Sequence, residues 1–141
     1  MLRELPGGYE LDDDARRIDV GVVHRFLSEE SYWAKGRSHA MVVASIDGSQ
    51  HVVGLYHAGS LVGFARVLTD KSVFAMLADV FVLEPHRGRG LGTELVRETI
   101  EGGPYRNLSW WLVTDDARGL YAKFGFSEQS GTTAMGRARR D

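Results

Sequence analysis

Arginines and glycines alternate over Arg87–Gly92 (Arg-Gly-Arg-Gly-Leu-Gly), between two apolar stretches of the chain. The stretch before it, Val73–Leu83, is almost wholly apolar, and residues 91–100 after it carry apolar side chains at helical spacing. A strand that turns through glycines into a helix presents free backbone N–H groups, which together with the helix dipole attract anions, above all phosphate. The arginines add charge-assisted hydrogen-bond donors. The segment therefore predicts a binding site for a phosphorylated ligand.

Two common nucleotide-binding motifs do not fit this segment. A nucleoside-triphosphate loop needs a lysine followed by serine or threonine after its last glycine, but Gly92 is followed by Thr93 and a glutamate. A dinucleotide fingerprint has the spacing G-x-G-x-x-G. Counted from Gly88, its third glycine falls on Thr93, and the frame that begins at Gly90 also fails. The phosphorylated ligand must therefore be identified from the rest of the chain.

Composition is that of an ordinary globular domain. The 141 residues are 43% hydrophobic and 26% charged, with a formal net charge of −2, and we expect one domain over residues 1–141. The charge gives no reason to expect nucleic acid or an anionic membrane as a partner. The chain has no cysteine, which excludes a cysteine acyl-enzyme and thiolate metal sites. No apolar run is long enough to span a membrane, the first residues lack the apolar core of a secretion signal, and we expect a cytoplasmic protein.

Hydrophobic periodicity and turn residues predict alternating short elements before the glycine-rich segment. Asp19 is the expected N-cap of a helix that ends near Ser31–Trp33, and a second helix is expected over His39–Ile46. The expected strands are Tyr9–Leu11, then His51–Tyr56 and Leu61–Leu68 as an antiparallel hairpin, then Val73–Leu83 buried on both faces.

A helix from Gly90 to Glu101 follows, and the next apolar strand is expected over Leu108–Thr114. Two apolar strands joined by a helix predict a right-handed βαβ unit with parallel strands. Beyond it we expect a short helix that is capped by Asp115 or Asp116 and reaches Phe124, and then one or two weak strands within Phe126–Arg137. The fold class is therefore α/β with a mixed sheet.

The motif R-x-x-G-x-G, with this order of elements, resembles the acetyl-CoA signature of the GNAT superfamily of N-acetyltransferases. The run Val82–Gly92 carries that signature, and Ala117–Phe126, a tyrosine-bearing helix that ends in Gly-Phe, is similar to the family's second signature. The resemblance covers nearly the whole chain. It implies a GNAT-like, mostly antiparallel sheet with a central βαβ unit whose parallel strands splay apart.

The resemblance implies acetyl-CoA as the donor co-substrate and requires no metal. Its pyrophosphate would lie on the glycine loop, and its pantetheine arm would pair with the end of the preceding strand. Many relatives have an asparagine after the second parallel strand, where this chain has Asp115-Asp116; either carboxylate can accept a bond from the pantetheine amide or simply cap a helix. The implied donor-binding residues are Phe81, Val82, Arg87, Gly88, Arg89, Gly90, Leu91, Gly92, Thr93 and Asp115.

Two residues are candidates for the chemistry itself. Tyr121 matches the family's general-acid tyrosine, whose phenol can donate to the departing thiolate. The alternative is a core aromatic, because Leu120, Tyr121 and Phe124 have helical spacing. Asp79 is the only ionisable residue from Val73 to Leu83. It is either the base that takes the amine proton or a satisfied aspartate that holds a bulge or a neighbouring loop.

The acceptor side is less defined. Tyr32 and Trp33 either form a wall of the acceptor pocket or close the hydrophobic core. Two functions remain open: an N-acetyltransferase, an acyltransferase that moves the acetyl group directly to an amine of a small molecule or peptide, and a non-catalytic acyl-CoA sensor on the same fold. Many members of the family form homodimers, so a homodimer is possible here.

Overall fold

The computed structural model describes residues 3–140 and shows a sheet of six strands that lie side by side in chain order. All neighbouring strands are antiparallel except the last pair, which is parallel. This confirms the expected mixed α/β fold. The strands are β1 (Arg3–Leu5), β2 (Tyr9–Asp12), β3 (His51–His57), β4 (Ser60–Thr69), β5 (Phe74–Val82) and β6 (Ser109–Trp111).

Helices cover both faces of the sheet, and their starts follow from local capping chemistry. Asp19 accepts a hydrogen bond from the Val22 N–H at 3.2 Å, and Ser38 accepts one from the Met41 N–H at 3.2 Å, so each satisfies an otherwise free donor of a first helical turn. The helices are α1 (Val20–Arg25), extended by a π-helical turn over Phe26–Glu30, then α2 (His39–Asp47), α3 (Leu91–Ile100) and α4 (Arg118–Ala122). The expected first, second and third helices are confirmed.

The β3–β4 hairpin is confirmed, and its turn explains its register. Ala58 and Gly59 form a two-residue turn with φ of 50° and 81°. Two successive positive φ angles are typical of the turn whose twist matches that of the flanking strands. The hairpin thereby aligns two long central strands, on which the rest of the sheet is assembled.

Two hydrophobic cores lie on opposite faces of the sheet. On one face, α3 buries Leu95, Val96 and Ile100 against the central strands. On the other, α1 and α2 bury a cluster that includes Val23 and Val42. Each fully buried aliphatic side chain contributes roughly 1.5–3 kcal/mol by leaving water, so both helical layers stabilise the sheet.

Strand β5 differs from the expected fully buried strand, because a β-bulge divides it. Arg66 of β4 pairs with Ala78, but Phe64 pairs with Phe81, so β5 contains one extra residue. Asp79 at the bulge has a φ of 53°. The extra residue reverses the facing of the side chains, so that Leu77 packs in the α3 core and Phe81 in the opposite one. Each half of β5 is therefore fully covered on one face only, and Phe74 at its start is 42% exposed.

The chain end departs from prediction in three ways. Strand β6 is shorter than Leu108–Thr114, and Ala117 rather than Asp115 or Asp116 occupies the N-cap of α4. The Ala117 N–H instead donates to the Thr114 hydroxyl at 3.1 Å, which leaves both carboxylates available for other contacts. The expected strands within Phe126–Arg137 do not form, because this segment is mostly polar and its Met135 stays 93% exposed.

The beginning of the chain adds one strand that sequence analysis did not assign, since β1 pairs antiparallel with β2. Within residues 3–140, no helix is both long and apolar enough to cross a membrane.

Candidate active site

A cleft of about 500 Å³ opens where the two parallel strands part. Strand β6 pairs with β5 only from Phe74 to Met76, whereas β5 runs on to Val82. The second half of β5 therefore has no partner strand on this edge, and Val80, Phe81 and Val82 line the cleft there. The expected splay of the parallel strands is thus present, and it creates a site open to an extended ligand.

The glycine loop also lines this cleft, with Arg87, Gly88 and Gly90 among the lining residues. Gly88 and Gly90 have φ of 79° and 76°, and a methyl group built on either would meet nothing within 4 Å. Gly90 is the N-cap of α3 and no side chain caps that helix. The N–H groups of the first helical turn, Leu91 to Thr93, therefore have no partner within the helix and face an uncovered approach. This is the geometry of an anion site at a helix N-terminus.

The three polar side chains of the loop, Arg87, Arg89 and Thr93, lie in three different surroundings. The Arg87 side chain donates from Nε to the Val82 carbonyl at 2.8 Å, and its backbone N–H donates to the Glu84 carbonyl at 3.1 Å. Arg87 therefore ties the loop to the end of β5. Arg89 lines a second cavity of about 800 Å³ on the β1–β2 side of α3. Thr93 lies outside the lining of both cavities, and its hydroxyl accepts from the Lys123 ammonium at 3.5 Å.

Tyr121, on α4, lines the same cleft as the second half of β5. Its side chain is almost wholly buried, at 9% exposure, yet it lines the cleft, and among residues 3–140 the hydroxyl has no hydrogen-bond partner. Burial, reinforced by the neighbouring Tyr32 and Asp116, raises the pKa of Tyr121 to about 12. The phenol is therefore a neutral donor at physiological pH.

Asp79 lies at the bulge, buried, with three donors around its carboxylate. Arg66 Nε and Arg37 donate to one oxygen at 2.7 and 2.8 Å, and the Trp33 indole donates to the other at 2.8 Å. Burial alone would raise the pKa of Asp79, but the Arg66 charge and the hydrogen bonds from Arg66 and Trp33 outweigh it and hold the pKa below its ordinary value of 3.8. These contacts favour the second alternative for Asp79, a satisfied carboxylate that holds the bulge and a neighbouring loop.

Tyr32 and Trp33 both line the cleft, in edge-to-face contact with ring centres 5.0 Å apart. The Tyr32 hydroxyl accepts from the Asp115 N–H at 3.0 Å and donates to Asp116 at 3.4 Å. The loop after the π-helical turn is thereby connected across the cleft to the loop before α4. Asp115 contributes its backbone to this bridge, and it is Asp116 that lines the cleft.

Sequence reasoning did not single out Glu30 for the cleft, nor Arg37 and Arg66 as partners of Asp79. Nothing in the sequence distinguishes Asp115 from Asp116, and it is Asp116 that lines the cleft in the structure. The arginines lie 42 and 13 residues from Asp79 in the chain, and no local pattern predicts that pairing.

Comparison with known proteins agrees with the fold. A family model described as the acetyltransferase (GNAT) domain matches residues 47–128, more than half of the chain. The chain therefore belongs to the GNAT acetyltransferase family. In sequence it is 26% identical over 130 residues to a candidate acetyltransferase of Gibberella zeae, covering 77% of this chain and 73% of that protein.

Two solved structures illustrate the similarity. A candidate GNAT acetyltransferase from Xanthomonas campestris pv. campestris is 38% identical, with a TM-score of 0.86 and 93% of each chain covered. A predicted acetyltransferase from Clostridium acetobutylicum, crystallised with acetyl-CoA, has a TM-score of 0.69 at 15% identity, covering 91% of this chain and 94% of that one. The second similarity is one of fold.

Proposed function

We propose that this protein transfers the acetyl group of acetyl-CoA directly to an amine of a small molecule or peptide. One observation supports this most strongly: a single cleft is lined both by an uncapped helix N-terminus at Gly90 and by Tyr121, a largely buried residue whose hydroxyl has no hydrogen-bond partner among residues 3–140. An anion-binding loop and a hydrogen-bond donor in one groove match a donor that has its phosphates at one end and its thioester at the other.

The residues present fit acetyl-CoA. The first-turn N–H groups of α3 would hold the pyrophosphate, and the positive φ of Gly88 and Gly90 keeps side chains out of its way. The unpaired edge of β5 at Phe81 and Val82 would accept the pantetheine arm as an added strand. When bound, acetyl-CoA supplies an activated acyl group: a C–N bond to the acceptor forms, the C–S bond breaks, and the amine loses one proton.

Tyr121 is proposed to stabilise the leaving sulfur by hydrogen bonding. Its pKa of about 12 lies above that of a thiol, about 8.5, so full proton transfer to the thiolate is unfavourable at equilibrium. A neutral donor fixed by burial can still stabilise the charge that develops on sulfur in the transition state. Tyr121 therefore acts as a preorganised hydrogen-bond donor rather than as a strong acid.

Asp79 is proposed to position its surroundings rather than to act as the base. An effective base has a pKa near the operating pH, but the pKa of Asp79 is shifted downwards and both oxygens already accept hydrogen bonds. The amine proton is therefore expected to leave through water at the mouth of the cleft. The acceptor would enter there, beside Tyr32 and Trp33.

Two matched pairs of variants test the proposal. Tyr121→Phe should lower kcat by about 10²-fold or more and leave the acetyl-CoA Kd unchanged by calorimetry. Tyr105→Phe, which removes a hydroxyl outside the cleft, is the control. Unchanged turnover in Tyr121→Phe would remove the proposed role of this tyrosine. If the wild type binds acetyl-CoA but releases no CoA with any amine, the protein is the non-catalytic sensor instead.

Gly90→Val tests the phosphate site. Gly36 has the same φ of 76° and the same open surroundings but lies outside the cleft, so Gly36→Val has a similar backbone strain without touching the loop. We expect Gly90→Val to abolish acetyl-CoA binding and Gly36→Val to retain it. Equal binding by the two variants would contradict the assignment of the loop to pyrophosphate.

A further inference from the structure

A tyrosine of strand β2 is hydrogen-bonded to the approach to the glycine loop. The Tyr9 hydroxyl and Nδ1 of His86 are 2.7 Å apart, although the two residues are separated by 77 positions in the chain. His86 ends a single 3₁₀ turn, Glu84–His86, which leads directly into Arg87 and the glycines. His86 lines the cleft, whereas Tyr9 lines the second cavity and not the cleft. Tyr9 therefore meets a ligand in the cleft through His86 rather than directly.

Tyr9 is itself held in place from several sides. Its backbone pairs with Leu5 of β1 on one side and with His57 of β3 on the other. Its side chain is only 6% exposed. The Tyr9 ring packs with its centre 4.4 Å from that of His57, and it meets the His86 ring edge-to-face at 5.6 Å. A buried ring on a strand that is paired on both sides has little rotational freedom, so its hydroxyl lies at a fixed point.

The turn that carries His86 is otherwise stabilised by local contacts. Among residues 3–140 no side chain caps it, and Glu84 and Pro85 are exposed. The His86 N–H donates to the Leu83 carbonyl at 2.9 Å, and the Arg87 N–H donates to the Glu84 carbonyl at 3.1 Å. The Arg87 side chain ties the loop to the end of β5, and the His86–Tyr9 bond ties it to β2. Attachment to two different strands restrains the loop against rotation about either attachment.

We infer that Tyr9 is a positioning residue of the donor site, which holds the glycine loop in its ligand-binding conformation by fixing Nδ1 of His86. This inference rests on the proposed binding of acetyl-CoA at the loop. Backbone N–H groups that are already ordered bind an anion more tightly, because less freedom is lost when the ligand arrives. A tyrosine hydroxyl both donates and accepts, so the bond can form with either neutral tautomer of the imidazole.

Tyr9→Phe tests the inference, because it removes the hydroxyl and keeps the packed ring. We expect the acetyl-CoA Kd, measured by calorimetry, to rise about fivefold, the size expected for the net value of one hydrogen bond. The KM for acetyl-CoA should rise with it and kcat should not change, because the effect is on binding alone. Tyr56→Phe on β3 is the matched control, since Tyr56 is 2% exposed and its hydroxyl has no hydrogen-bond partner within residues 3–140. Equal Kd values for the two variants would overturn the inference, even if Tyr9→Phe were the less stable.

Two substitutions of His86 separate positioning from direct contact with the ligand. Asparagine places a polar atom near the position of Nδ1 and can still bond the Tyr9 hydroxyl, whereas glutamine reaches the position of Nε2 and cannot. His86→Asn should bind acetyl-CoA within about twofold of the wild type, and His86→Gln should bind about fivefold more weakly. Adding Tyr9→Phe to His86→Gln should weaken binding no further. The reverse order of the two His86 variants would overturn the inference, because it would show that His86 acts on the ligand through Nε2.

Hydrogen exchange of the ligand-free protein tests the same bond without acetyl-CoA. The His86 and Arg87 amides are hydrogen-bonded within the turn, and they should exchange about fivefold faster in Tyr9→Phe than in Tyr56→Phe. Equal exchange in the two variants would overturn the inference. Failure of the wild type to bind acetyl-CoA would contradict the proposed function, whereas unchanged exchange contradicts the positioning role of Tyr9, so the two failures are distinguishable.

Discussion

Replacing Asp79 by asparagine tests whether the Asp79 carboxylate has a structural role or acts as the catalytic base. The substitution keeps the side-chain shape and suits the positive φ of 53°, since asparagine tolerates this conformation nearly as well as aspartate. It removes the negative charge that Arg37 and Arg66 both contact. The side chains of Asp79 and Arg66 are only 4% and 12% exposed, so water can replace little of the lost interaction.

The expected loss of stability is large. Removing one partner of a buried ion pair typically costs about 3–5 kcal/mol, and we take about 3 kcal/mol because Arg37 is 22% exposed. With a urea m-value of about 2 kcal/mol/M, the unfolding midpoint should fall by about 1.5 M. The exposed Asp47→Asn, at the end of α2, is the control and should change stability by no more than about 0.5 kcal/mol.

The pH dependence of this difference follows from the sign of the shift. The folded-state pKa of Asp79 lies below its ordinary value of 3.8, so its stabilisation is complete above that value and is lost as the pH falls through the folded-state pKa. Urea titrations should therefore give a constant difference between wild type and Asp79→Asn from neutral pH down to about pH 5, and a shrinking one below pH 4. Unchanged stability together with a loss of turnover by 10²-fold or more would refute this reasoning and identify Asp79 as the base.

Three further outcomes follow from other parts of the structure. Leu95→Ala should lower the free energy of unfolding, measured in urea, by about 2–5 kcal/mol, because Leu95 lies on the buried face of α3 and is wholly buried. A loss below about 1 kcal/mol would mean that α3 does not pack against the sheet as described. Ser38→Ala should cost about 1 kcal/mol by removing the N-cap of α2, measurable by thermal unfolding, with Ser60→Ala, an exposed serine, as the control. The pH profile of kcat/KM should show a falling limb from Tyr121 only near its pKa of about 12; a limb near pH 8 that disappears in Tyr121→Phe would show that the phenol titrates much lower.

Local sequence determined much of the framework, because capping and turn chemistry act over a few residues. Asp19 and Gly90 each begin a helix where the sequence predicts one, and the Ala58–Gly59 turn sets the hairpin. The fold class and the family could therefore be predicted. The end of the chain could not, since its polar residues provide no apolar face to hold a strand against the sheet.

Tertiary structure alone decided how the cleft is charged and which groups remain available in it. The structural role of Asp79 follows from the hydrogen bonds that Arg37, on a loop far away in the chain, and Arg66, on the neighbouring strand β4, donate to its carboxylate. Asp116, rather than its neighbour Asp115, lines the cleft, and neither carboxylate caps α4, because the Thr114 hydroxyl accepts the Ala117 N–H. The sequence by itself determined where a phosphate could bind, because an uncapped helix N-terminus is a local property. What lies opposite that site depends on contacts between segments far apart in the chain, which only the folded protein defines.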